Sequence, residues 1–258
     1  MNTLAILILT CNEEDNITAV IENAKKCTDE VIIIDSGSTD HTIELAEKAG
    51  AKVVFRAWTN DFSAQRNFAL EQTTADWVLY LDADERLNEE LVAAVRRIVD
   101  SKPLDAQYVI TRKTGAFGRT FNYGVLSPDR VVRMFPREQV KWVNQVHEHP
   151  ECKLPIKHLP GYIKHYTYKN WQEWETKCCL YTTIWAKDAH KQGKTTSMGS
   201  IFGHSFGAFF KMYILKKGFL DGGIGFSLCC AHFFYTMLKY LKLYEKQNAE
   251  HCNTEKDN

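Results

Sequence analysis

At 258 residues the chain is long enough for one large domain, or for one domain with an elaborated tail. Its 32 basic and 32 acidic side chains cancel, so net charge gives no support to a nucleic-acid or strongly anionic partner. The eight cysteines occur singly or as the adjacent pairs Cys178–Cys179 and Cys229–Cys230; this spacing excludes a zinc-ligand set and a disulfide framework, and free thiols in a reducing cytosol are expected.

In chain order, Leu4–Leu9 is a continuous apolar run, the pattern of a strand covered on both faces. No basic region or cleavage site precedes it, so a secretion signal is not expected. Ile17, Val20, Ile21 and Ala24 form one stripe of a helix over 16–26. A second buried strand, 30–34, leads into a helix over 39–49, with Gly50 where a C-cap belongs. A short strand at 52–56, a helix over 61–72 and a strand at 76–81 follow. Asn88 then caps a helix to Val99 that has its acids early and its arginines late, as the helix dipole favours. Alternating strand and helix imply an α/β fold: an open, mainly parallel Rossmann-like sheet whose ligands lie beyond the carboxyl ends of the strands.

Strands at 108–112 and 131–135 should extend that sheet, joined through Gly115, Gly118 and Gly124. From Trp171 the chain is helical and aromatic. Helices are expected over 171–192 and 201–217, and the segment 226–244 is apolar around most of its circumference. The domain expected to bind nucleotide and carry the catalysis spans 1–168, with a helical extension over 169–247 and a disordered polar tail over 248–258. No apolar run approaches the roughly 20 residues that cross a bilayer.

The polar stretches fall at the expected strand ends. Thr10-Cys11-Asn12-Glu13-Glu14 is not a glycine-rich dinucleotide loop, but its hydroxyl, amide and carboxylates suit a ribose and the edge of a base. Asp35-Ser36-Gly37-Ser38-Thr39-Asp40 sets an acid at a strand end and small donors at a helix start. There Ser38 can cap the helix, meet a ligand, or do both. Arg66, near the start of its helix, opposes the dipole and so invites an anion such as a diphosphate, or else a pairing with Asp61. Asp82 and Asp84 are spaced to face one point past the strand, as two hard oxygen donors for a divalent metal; an acidic turn with Asp84 as N-cap is the plainer alternative.

Together with Gln65-Arg66-Asn67 and Asp82-Ala83-Asp84-Glu85, these loops resemble, in order and spacing, the motifs of family 2 glycosyltransferases. The resemblance covers about the first 170 residues. It implies the GT-A fold and inverting transfer of a sugar from a nucleotide donor. By position it implies that Thr10, Asn12, Glu13 and Asp35 hold the nucleoside, that Arg66 contacts the donor, and that Asp82 and Asp84 address ribose, diphosphate and a Mg2+ or Mn2+ ion. Cys11 stands where the family often has an aromatic residue. Asp129–Arg137, Val146-His147-Glu148, His165–Tyr168 and Gly218–Gly222 are similar to bacterial lipopolysaccharide-core glucosyltransferases. That likeness implies UDP-glucose as donor and a heptose of the lipid-linked inner core as acceptor.

Inversion needs a base for the acceptor hydroxyl. Glu148, in a loop opposite the strand ends, is the candidate; His147 would flank it and either orient it or approach the metal, and Asp129 is the reserve. Arg133 would neutralise the leaving diphosphate in a bidentate contact, unless it is only a sheet-edge charge. For His165 a hydrogen-bonded structural role is favoured over metal ligation. Core packing against the sheet accounts for most aromatics of the C-terminal helices, while the apolar 202–234 segment, flanked by Lys211, Lys216, Lys217, Lys239 and Lys242, also suits peripheral contact with the inner face of an anionic membrane. Rival functions are a sugar-1-phosphate nucleotidyltransferase and a non-catalytic nucleotide-sugar-binding protein.

Overall fold

The computed structural model describes residues 2–101, 103–145 and 148–254. The chain forms two compact units: residues 1–113 with 129–166, and residues 114–128 with 167–258. The segment 114–128 thus belongs with the C-terminal helices, a grouping that the boundary expected after residue 168 does not include.

In the first unit the order is β1 (Leu4–Thr10), α1 (Ile17–Ala24), β2 (Glu30–Asp35), α2 (Thr42–Lys48), β3 (Lys52–Phe55), α3 (Phe62–Glu71), β4 (Trp77–Asp82), β5 (Glu85–Leu87) and α4 (Glu89–Asp100). It continues into β6 (Gln107–Ala116) and, after β7 (Arg119–Thr120) of the second unit, into β8 (Asp129–Pro136), β9 (Lys141–Val143), β10 (His149–Glu151) and β11 (Ile156–Tyr168). The sheet runs β3-β2-β1-β4-β8-β6-β11-β5. It is parallel from β3 to β4 and antiparallel where β8 joins β4 and β6, so the sheet is mixed.

Period-two alternation explains the unbroken apolar runs. Ile6, Ile8, Ile33 and Leu79 face one layer of core with α1 and α4. Ala5, Leu7, Ile32, Ile34 and Val78 face the other, with Ala69 of α3 and Trp142. Asn88 caps α4 as expected, its Oδ1 accepting from Leu91 N at 3.1 Å. The same oxygen accepts from Tyr162 N at 2.8 Å, which ties the start of α4 to β11. Gly161 has φ +87°, and a Cβ there would lie 2.4 Å from Leu91 N, so glycine is required at that crossing.

The second unit holds α5 (Trp171–Lys191), α6 (Met198–Phe210) and α7 (Gly222–Thr254), with α5 and α6 both packed on α7. The helix expected over 201–217 changes to π-helical geometry at Lys211–Leu215. α7 continues through Thr254, past residue 248 where a disordered tail was expected. Among the described residues no helix is long and apolar enough to cross a membrane.

Candidate active site

Thr10 and Asp35 are partners in the β1–β2 register, so the two polar loops leave the sheet side by side. They are stitched together. Asn12, at φ +55°, donates its N–H to Ser38 Oγ at 2.8 Å and accepts from Thr39 N at 2.8 Å. Asp35 is fully buried and accepts from Gly37 N at 2.8 Å, Ser38 N at 3.0 Å and Ser38 Oγ at 2.5 Å. Glu13 donates its N–H to Thr42 Oγ1 at 2.7 Å and accepts from Asn16 Nδ2 at 2.7 Å. Asn12, Asp35 and Ser38 therefore build the loop pair with their own polar groups. Ser38 does not cap α2, which starts at Thr42.

A cleft of ≈ 330 Å³ opens against these loops, lined by Leu9, Thr10, Cys11, Glu13, Ser36, Trp58 and Phe62. Of the expected nucleoside residues, Thr10 and Glu13 line it. The Thr10 hydroxyl is buried without a hydrogen-bond partner.

The acids at the end of β4 do not share one role. Asp82 lies beside Leu9 in the β1–β4 register and is held by arginines. Its Oδ2 accepts from Arg133 Nη2 at 2.6 Å, and its Oδ1 lies 3.7 Å from Arg66 Nη2. Burial alone would raise its pKa; Arg133 and then Arg66 outweigh burial and hold the carboxyl down to about 2. Asp82 is thus an ion-pair partner of Arg133 and Arg66 in this structure, whereas Asp84 is engaged elsewhere. Asp84 is not a helix cap; its Oδ2 meets His165 Nε2 at 3.0 Å. Burial opposes the charged imidazole, but the hydrogen bond and charge of Asp84 prevail and raise the His165 pKa.

Arg133 lies on β8, inside the sheet and buried, so it is not a sheet-edge charge. Its Nη2 donates to both Asp82 and Glu85. Glu85, whose importance sequence reasoning missed, is fully buried and accepts from Asp82 N at 3.1 Å, Arg133 at 3.2 Å and Arg112 at 3.4 Å. Burial and the nearby Asp82 raise its pKa against the pull of Arg133. Asp129, the reserve base, is engaged by Arg112 at 2.7 Å and 3.0 Å.

Arg66 is the fifth residue of α3, beyond the first turn, and Asp61 is the helix N-cap instead of its partner. Its guanidinium stacks on Trp142 at 4.6 Å, and Nε and Nη1 are buried without partners. Its Nη2 lies 3.9 Å from Glu148 Oε1, which brings the proposed base to the acids of β4. His147 lies outside the described residues. Among those described, no group of three or more His, Cys, Asp or Glu side chains could hold a metal.

In an open α/β sheet ligands bind beyond the carboxyl ends of the strands, which is where Thr10, Asp35 and Asp82 stand. The family model for glycosyl transferase family 2 matches residues 5–154, more than half of the chain, and the chain belongs to that family. It is a glycosyltransferase, which sets aside the nucleotidyltransferase and non-catalytic alternatives. An uncharacterized glycosyltransferase of Rickettsia conorii is 30% identical over 254 residues, covering 94% of this chain and 90% of the relative. One from Rickettsia typhi is 28% identical over 257 residues, covering 95% and 88%. Among solved structures, glucosyl-3-phosphoglycerate synthase from Mycobacterium tuberculosis, in complex with Mn2+, UDP and phosphoglyceric acid, aligns with a TM-score of 0.39 and 22% identity over 54% of this chain and 57% of that one.

Proposed function

We propose that the protein is an inverting, metal-dependent hexosyltransferase that moves glucose from UDP-glucose to a lipid-linked saccharide such as the heptose of a lipopolysaccharide inner core. The observation that carries the chemistry is the shared guanidinium: Arg66 Nη2 lies 3.7 Å from Asp82 and 3.9 Å from Glu148. It supports a base candidate standing beside the donor end of the sheet.

Asp84 is the carboxylate that would contribute to a divalent ion, leaving its other positions to diphosphate oxygens and water, as Mg2+ commonly prefers; here its Oδ2 is hydrogen-bonded to His165 Nε2 at 3.0 Å. Bound there, the ion would supply charge neutralisation of the departing diphosphate. Glu148 takes the proton of the acceptor hydroxyl as that oxygen bonds to the anomeric carbon and the bond to the diphosphate breaks on the opposite face. Arg66 keeps donors to spare for the diphosphate, because its buried Nε and Nη1 have no hydrogen-bond partner. Arg133 supports the site from below by fixing Asp82 and Glu85.

Transfer from UDP-glucose to heptose-terminated lipopolysaccharide, measured with and without Mn2+, tests this function. Asp84→Ala should lower turnover by about two orders of magnitude or more, since metal assistance contributes several kcal/mol. Full turnover in that variant would remove the metal role. Activity with another nucleotide sugar or acceptor, and none with these, would replace the substrate assignment.

The reading includes peripheral docking on an anionic membrane. In the second unit Phe210, Ile214, Leu215, Phe219 and Leu220 are exposed, and the exposed Lys211, Lys216 and Lys217 are interleaved with them. An apolar surface with basic neighbours suits partial insertion among anionic headgroups.

A further inference from the structure

We propose that the nucleobase of the donor is gripped by Trp58 and Phe62, the two aromatic side chains at the mouth of the cleft beyond β1 and β2. The inference rests on the nucleotide-sugar reading and deepens it.

Trp58 lies in the connection after β3, and Phe62 opens α3 behind its Asp61 cap. Both line the ≈ 330 Å³ cleft. Their ring centroids are 4.6 Å apart at 63°, an edge-to-face contact in which each ring stiffens the other. The indole Nε1 donates to Asn60 Oδ1 at 3.1 Å, which fixes the ring further. Yet Trp58 remains 39% exposed and Phe62 47% exposed. A braced aromatic pair that is still open to solvent is suited to receive a flat ligand.

The opposite lining offers no π-face. Leu9 and Cys11 are apolar or nearly so, and Thr10, Glu13 and Ser36 are small or polar. The aromatic faces of the cleft come from the connection after β3 and the start of α3. A second observation is independent of the aromatics. Thr10 is only 4% exposed, and its hydroxyl has no partner, although buried polar atoms are normally satisfied. The cleft therefore presents aromatic faces beside the polar side chains of Thr10, Glu13 and Ser36 in its lining. A nucleobase meets both, with a planar π-system to stack and a polar edge to bond. A hexose is the competing occupant, but it has no planar π-system to lay against the two rings.

The test compares Mn2+-dependent binding of UDP and of inorganic pyrophosphate to the full chain. Trp58→Ala should weaken UDP binding about tenfold or more, as loss of base–aromatic stacking does, while pyrophosphate binding is unchanged. Trp58→Phe should retain most of the UDP affinity. Cys11 is exposed in the same cleft, so UDP should protect it from alkylation, read by peptide mass. Equal UDP affinity in wild type and Trp58→Ala would overturn the clamp and leave the donor reading intact. Equal loss of UDP and pyrophosphate would show a general disturbance and overturn it too, as would alkylation of Cys11 unaffected by UDP. If the wild type binds neither UDP nor any other nucleoside diphosphate, the donor reading fails, and the clamp fails with it.

Discussion

Arg133 donates to Asp82 at 2.6 Å across 51 residues of sequence, from the middle of the sheet to the end of its neighbouring strand. The same nitrogen reaches the fully buried Glu85 at 3.2 Å. One cation thus balances two acids, and its removal would leave Glu85 with Arg112 alone at 3.4 Å. Breaking a buried pair from one side typically costs about 3–5 kcal/mol. Arg133→Met should therefore lower stability by about 3 kcal/mol in urea unfolding. An unchanged midpoint accompanied by weaker diphosphate binding would favour the clamp role that sequence suggested.

The catalytic assignment predicts a different signature at Glu148. Glu148→Gln keeps the shape and removes the base, so kcat should fall by about 10²–10⁴-fold, while the affinity for UDP changes little. The affinity term matters because Glu148 also lies 3.9 Å from Arg66. A variant that keeps wild-type kcat would exclude Glu148 as the base.

What could be read in advance follows the range of the interactions. The stripe Ile17, Val20, Ile21 and Ala24 is local periodicity, and all four are buried in α1. Asn88 is a local cap signal, and it caps. The Asp82–Asp84 spacing is local too, but what each acid faces is decided elsewhere: β8 enters antiparallel beside β4 with Arg133, and β11 brings His165 opposite Glu85 in register. Neither partner has a sequence-local signal. Glu85 stood inside a quoted motif, and only burial with two arginines reveals its weight. Trp58 and Phe62 carried a weak sign, aromatics set among polar residues just before a helix.

Cys27 gives a pH test. It packs against the core beside α1, and burial pushes its thiol from an ordinary 9.0 up to about 12. The folded state therefore favours the neutral thiol. That contribution to stability is fully present below pH 9.0 and is lost as the pH rises toward about 12. Urea midpoints should fall on going from pH 8 to pH 10.5, and Cys27→Ala should show a shallower fall over the same range. Identical slopes would mean that Cys27 is not the linked group.

The docking surface can be dissected by its lysines, because the five that flank the apolar segment are not equivalent. Lys239 lies over the Trp185 ring at 4.5 Å, and Lys242 donates to Cys179 O at 3.0 Å and to Thr182 and Thr183 Oγ1 at 2.8 Å each. These two serve the packing of α5 on α7. Lys211, Lys216 and Lys217 sit among exposed Phe210, Ile214, Leu215 and Phe219. Each basic residue near an anionic surface contributes about 1 kcal/mol, so replacing all three with Glu should weaken binding to phosphatidylglycerol vesicles by about a hundredfold or more. Lys239→Gln should leave vesicle binding unchanged. Salt should abolish most of the difference, since the attraction acts within a Debye length. Wild-type protein that fails to sediment with such vesicles at low salt would end the membrane proposal and leave the transferase chemistry of the first unit untouched.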